Sequence, residues 1–190
     1  MERLGYDCAQ FLKQLELITD LQGPEPGKHS FFRGAHVSVY DQGAREQIEA
    51  LADVIDATKA LDLWDRACAT VWDKAPVWVH GDFAVGNILI TEGRLSAVID
   101  FGNCSMGDPA CDLVLAWTYL TGKAREVFVR EFQRKGRTEV GQMAMDEGTW
   151  LRSRAWALWK ATYELCKCQD KSGPEALLQR RIVDTCLDLN

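Results

Sequence analysis

The reading of this chain turns on Val79-His80-Gly81-Asp82-Phe83-Ala84-Val85-Gly86-Asn87-Ile88-Leu89-Ile90 and on its continuation, Val98-Ile99-Asp100-Phe101-Gly102. Three short β-prone runs frame it: Val77 to Val79, Ile88 to Ile90 and Leu95 to Ile99. Thr91-Glu92-Gly93-Arg94 between the last two has turn chemistry, so those runs read as a hairpin. A hairpin there returns Asp100 toward Asn87 across the sequence gap. The polar residues sit where the apolar runs end. Asp82, on a loop directly after a strand, is placed to accept or orient the proton of an attacking hydroxyl. Asn87 and Asp100 offer hard oxygens of the kind that hold Mg²⁺ against phosphates. Gly81, Gly86 and Gly102 leave room for unusual backbone angles and for close approach of a ligand.

Outward from this stretch the pattern is helical. Leu4, Cys8, Phe11, Leu12, Leu15 and Ile18 predict an amphipathic helix over 4–18. The Gly/Pro-rich Leu21 to Ser30 excludes regular structure, and Phe31 to Asp41 reads as an ordered loop. Helices are expected over about 42–56 and 57–71. Beyond the hairpin, Asp108 is a candidate N-cap with Pro109 at the first helical position. Helices are then expected near 109–121, 123–135, 143–168 and 174–188. The fold class that follows is α+β but mostly α: a helical bundle with a small β-hairpin carrying the chemistry. Without βαβ alternation a doubly wound sheet is excluded.

Composition limits the function classes. The 190 residues are 47% hydrophobic and 26% charged, ordinary for a globular protein, and suffice for one domain over 1–190. The net charge of −6 argues against a nucleic-acid binder, which needs a positive surface, and tolerates a cationic ligand. No apolar run approaches the roughly 18–20 residues that span a bilayer. No membrane partner and a cytoplasmic location are therefore expected. Seven irregularly spaced cysteines fit buried thiols better than a disulfide framework.

Asp82 followed by four residues and Asn87 resembles the catalytic loop of the protein-kinase-like superfamily. The His80-Gly81-Asp82 opening, the Ile99-Asp100-Phe101-Gly102 segment and Gly107-Asp108-Pro109-Ala110-Cys111-Asp112-Leu113 narrow the resemblance to the aminoglycoside phosphotransferase family. Weaker family character reaches back to Phe31-Phe32-Arg33-Gly34 and on through the C-terminal helices. The resemblance implies Asp82 as catalytic base and Asn87 and Asp100 as Mg²⁺ ligands. It implies His80, Asp108 and Asp112 as structural supports of the catalytic loop. ATP is the implied co-substrate, and the implied partner is a small-molecule hydroxyl acceptor, aminoglycosides foremost. It also implies the C-terminal lobe of a kinase-like fold, with a catalytic core over about 77–117 and a substrate-side helical region over about 123–190. No Gly-rich strand-loop-strand precedes residue 78, so the N-terminal β lobe is expected to be absent. That predicts weak or no kinase activity of this chain alone, with self-association or a separate N-lobe as partner.

Two other readings stand beside this one. A catalytically silent binding module would keep the fold without turnover. A metal-dependent hydrolase would use His80, Asp82 and Asp100 without a nucleotide. Cys104 and Cys111 lack a companion with zinc spacing, and Cys166 and Cys168 point to different helix faces. Trp150, Trp156 and Trp159 read as core or groove packing rather than substrate stacking. Asp146, Glu147, Glu164, Asp170, Asp184 and Asp188 read as solvated surface, while the family resemblance implies that acidic side chains of the C-terminal helices meet the amines of an aminoglycoside, without selecting which.

Overall fold

A stripe of Leu4, Cys8 and Leu12, four residues apart, is what buries the first helix, α1 (Glu2–Glu16). In the computed structural model, which describes residues 2–133 and 145–188, α1 packs on α5 (Gly122–Gln133). Between them in sequence come α2 (Asp41–Ala50), α3 (Ala57–Cys68) and the short α4 (Leu115–Thr118). The long α6 (Glu147–Lys167) and α7 (Pro174–Leu187) complete the helices. Asp146 starts α6 by accepting the Thr149 N–H at 2.7 Å. Apolar residues on most sides of α6 make it the central helix, packed against α2, α3 and α7. The expected residues 134–135 and 143–144 of the flanking helices lie outside the described residues.

Two antiparallel two-stranded sheets carry the β structure. The predicted hairpin is formed by β2 (Ile88–Thr91) and β3 (Arg94–Val98), with Ile88 opposite Val98. The first strand, β1 (Val77–Val79), pairs with β4 (Ser105–Gly107), which the sequence pattern did not reveal. The Gly/Pro stretch straps this second sheet: the Met106 N–H donates to Pro24 O at 2.9 Å and Trp78 Nε1–H to Leu21 O at 3.1 Å.

Several expected boundaries are corrected. α2 ends at Ala50 and gives way to turns rather than running to 56. The helix expected over 109–121 is a 3₁₀ turn, Pro109–Cys111, followed by the four-residue α4. There the burial of Leu113, Leu115, Ala116 and Leu120 fixes the chain path against local helix preference. The segment expected as loop holds two 3₁₀ turns, Lys28–Ser30 and Val37–Tyr40. Of the cysteines expected as buried thiols, Cys8, Cys111 and Cys186 are buried, while Cys166 is exposed. Burial pushes the Cys8 and Cys186 thiols up to about 12, which makes them poor nucleophiles.

The core has two parts. The larger joins α1, α3, α5, α6 and α7 through residues such as Leu12, Leu63, Phe128 and Leu158. The smaller, with Val37, Trp64, Val79, Trp156 and Trp159, lies under the β1–β4 sheet and backs the site described next. A buried ion pair spans it: Arg152 Nε donates to Asp108 Oδ2 at 2.6 Å, with the two side chains 0% and 5% exposed. Arg152 also donates to Thr70 Oγ1 at 3.0 Å and to Thr149 Oγ1 at 3.3 Å, so its donors are met inside the protein.

Candidate active site

The loop after β1 is built by backbone donors. The His80 and Gly81 N–H groups donate to the two oxygens of Asp112 at 2.6 and 2.9 Å. Burial pushes the Asp112 carboxyl above the usual carboxylate range, against the downward pull of those two donors. Gly81 has φ of +80°, and a Cβ there would stand 2.4 Å from Asn103 O, so glycine is required. Asp82, which follows this turn, is half-buried.

His80 is fully buried and both its ring nitrogens are used. Nδ1 accepts the Asp82 N–H at 3.2 Å, so the hydrogen is on Nε2, which donates to Ile99 O at 3.0 Å. One imidazole thus ties the backbone of Asp82 to the residue before Asp100. Its ring packs 4.8 Å from that of Phe101.

Asn87 closes the loop from the other side. Its Nδ2 donates to Asp82 O at 2.9 Å and to Asp82 Oδ2 at 3.0 Å. The Ile99 N–H donates to Asn87 O at 2.9 Å, which locks the start of the hairpin to its end. Asp100 is exposed and sits at φ +62°, ψ +63°, a left-handed conformation uncommon for a non-glycine residue. Hydrogen bonds therefore join Asp82, Asn87 and His80, and Asp100 follows the bonded Ile99 in the chain. Asp108 and Asp112 lie behind it: Asp108 caps the 3₁₀ turn by accepting the Ala110 N–H at 3.0 Å, and Asp112 holds the loop backbone.

The donor set suits Mg²⁺. With Nδ2 turned to Asp82, Asn87 keeps Oδ1 as an oxygen ligand, and the Asp100 carboxylate is open to solvent. Among the described residues no three His, Cys, Asp or Glu side chains cluster for a metal. Mg²⁺ takes one or two protein ligands beside waters and phosphate oxygens, so Asn87 Oδ1 and the Asp100 carboxylate are enough donors from the protein for it.

Asp82 also lines two cavities, of about 390 and 280 Å³, on which neither Asn87 nor Asp100 borders. The larger is walled by Tyr40, Trp159 and Tyr163, with Arg33, Lys160 and Lys167. Trp159 rings lie 4.1 Å from Tyr40 and 6.0 Å from Tyr163, both stacked. So Trp159, expected as packing, both packs and walls a cavity. Of the six acidic residues considered for amine contacts, Glu164 lines the smaller cavity and the other five line neither.

Sequence reasoning missed Arg33 and Tyr40 as lining residues. Phe31 and Phe32, at φ +48° and +54°, make two successive left-handed turns that aim Arg33 inward. Ser105 Oγ–H, donating to Arg33 O at 2.7 Å, and Tyr40 Oη–H, donating to Phe31 O at 3.0 Å, hold that conformation. The available signal was the pair of phenylalanines before Arg33-Gly34, which is unusual in a polar loop.

Comparison with known proteins adds the family. An aminoglycoside 3'-phosphotransferase of Escherichia coli is 35% identical over 86 residues, which make up 40% of this chain and 31% of that protein. Among solved structures, macrolide 2'-phosphotransferase type I matches with TM-score 0.54 and 18% identity, over 95% of this chain and 58% of its own. The apoenzyme of macrolide 2'-phosphotransferase MphH from Brachybacterium faecium matches with TM-score 0.52 and 16% identity, over 99% of this chain and 60% of its own. The chain thus spans less than two thirds of the length of these relatives. Residues 2–177 match the model of the phosphotransferase enzyme family (APH), and the chain belongs to that family.

Proposed function

We propose that this chain carries the catalytic half of an ATP-dependent phosphotransferase acting on a hydroxyl of a small molecule. The observation that carries this reading is the position of Asp82: bonded to Asn87 on one side and open to the cavities on the other. The Asp82 carboxylate takes or orients the hydroxyl proton as the new O–P bond forms. The bond between the γ-phosphorus and its bridging oxygen breaks, and ADP leaves. His80 positions Asp82 and Asp100 relative to each other but reaches no substrate. Bound at Asn87 and Asp100, Mg²⁺ would neutralise charge on the phosphates. Family membership supports phosphoryl transfer, and the relatives named above act on aminoglycosides and macrolides, so the acceptor is a small hydroxylated molecule.

The test is transfer of the γ-phosphoryl of Mg²⁺-ATP to a panel of amino sugars, amino alcohols and hydroxy acids, with Asp82→Asn as comparison. Turnover lost in Asp82→Asn supports the reading. Turnover equal in both removes Asp82 from the chemistry. Tight ligand binding with no transfer to any acceptor would favour a silent binding module.

A further inference from the structure

The chemistry of the larger cavity runs against a polyamine. Its lining holds three cationic side chains, Arg33, Lys160 and Lys167, and a single carboxylate, Asp82. Glu164 stands between the two lysines, accepting from Lys160 at 2.6 Å and Lys167 at 3.3 Å, and so offsets one of them. The Lys160 contact, first of all, holds the Glu164 carboxyl below its ordinary range, so it remains an anion committed to those lysines.

Arg33 differs from the lysines. It is half-buried and forms no ion pair with any described residue. Its guanidinium lies 4.8 Å from the Trp156 ring and 4.9 Å from the Trp159 ring. The two indole rings stand at 88° to each other, so the guanidinium sits in the corner they form, which restricts where its donors can go. Beside it, the buried Trp156 Nε1–H has no acceptor among the described residues. Trp156 lines the smaller cavity, and Arg33 lines both. Planar, preorganised donors of this kind match a carboxylate or phosphate, and an approaching ammonium would be repelled. The Tyr40, Trp159 and Tyr163 rings are stacked on one another, with Lys167 Nζ 4.0 Å from the Tyr163 ring centre, and Phe31, which is 63% exposed, extends this aromatic lining.

We propose that this cavity takes an acceptor bearing an anionic group, a carboxylate in the simplest case, on a flat or aromatic body. Arg33 grips the anion, Lys160 and Lys167 set the surrounding field, and the exposed Phe31 ring covers the body. The proposal rests on the phosphotransferase reading only in naming the ligand an acceptor.

Two probes of one shape and opposite charge test it: para-(hydroxymethyl)benzoate and para-(aminomethyl)benzyl alcohol. Their affinities are measured by ligand-observed NMR titration, with kanamycin as a polyamine reference. The benzoate is expected to bind more tightly than either amine, and to weaken as salt is added. Arg33→Gln and Lys160→Gln should each weaken it by about tenfold, the range of a lost charge-assisted bond. Arg33→Lys should recover part of the loss. Lys123→Gln, a charge change on the exposed side chain paired with Glu2, should leave affinity unchanged. Lys160 is half exposed, so its variant remains informative if Arg33→Gln does not fold. The proposal is overturned if an amine binds more tightly, if neither probe binds at millimolar concentration, or if folded variants bind the benzoate like wild type. Mg²⁺-ATP binding is measured separately. Its failure with benzoate binding intact removes nucleotide binding by this chain alone and leaves the anion site standing.

Discussion

Removing the His80 imidazole should loosen the catalytic loop by an amount that the structure sets. The ring supplies two hydrogen bonds, at 3.2 Å from the Asp82 N–H and 3.0 Å to Ile99 O. At a net 0.5–1.5 kcal/mol each, their joint loss costs about 1–3 kcal/mol. His80→Phe isolates this quantity, because a phenyl fills the space and keeps the contact with Phe101 but makes neither bond. His80→Ala adds the void left by a fully buried ring and should cost about 3–5 kcal/mol in all. Both values are large beside a typical domain stability of about 5–15 kcal/mol. Urea unfolding at constant m-value gives the stabilities, and calorimetry gives the Mg²⁺-ATP affinity of each folded variant. Affinity should fall in both variants, because the backbone before Asp100 is no longer tied to Asp82. A His80→Phe variant within about 0.5 kcal/mol of wild type and with full nucleotide affinity would refute the bracing role, since surface-like changes fall in that range.

Other outcomes follow from the same geometry. Gly81→Ala should destabilise more than Gly93→Ala: both residues have positive φ, but only at Gly81 would the Cβ strike a neighbour, at 2.4 Å from Asn103 O. Gly93→Ala should cost about 1–2 kcal/mol, the left-handed penalty alone, as read by thermal melting. Asp108→Ala strands the fully buried Arg152 and should cost about 3–5 kcal/mol in urea unfolding. Burial, then the Asp112 charge, raise the Glu16 carboxyl from its ordinary 4.5 to about 8, with Lys13 opposing. Because the folded value is the higher one, Glu16 stabilises the fold fully below pH 4.5, and that contribution is lost as pH rises through about 8. Glu16→Gln should therefore gain stability relative to wild type as pH climbs through this window; a pH-independent difference in melting temperature would contradict it.

Local chemistry made the hairpin and its polar ends readable. Thr91 to Arg94 has turn residues, and Asp82, Asn87 and Asp100 stand at the ends of apolar runs. What stayed hidden was non-local. The β4 strand is three residues long, Ser105-Met106-Gly107, and exists because it pairs with Val77 to Val79 far back in the chain. The Asp108-Pro109 start signal was correct, but tertiary burial of the following leucines ended the expected helix after one 3₁₀ turn. Arg152 was invisible as a core residue, because charge alone argues for the surface until Asp108 is seen across the fold. Arg33 carried only the weak signal of the two phenylalanines before it, for a similar reason. Its role depends on Trp156 and Trp159, more than a hundred residues later, and on two left-handed phenylalanines that no periodicity announces.

The most direct test of the account is calorimetric titration of Mg²⁺-ATP into the chain, repeated without Mg²⁺ and with Asp100→Ala. The account predicts binding that requires the metal and disappears in the variant. Nucleotide binding indifferent to Mg²⁺ and to Asp100→Ala, or no binding at millimolar nucleotide, would contradict it.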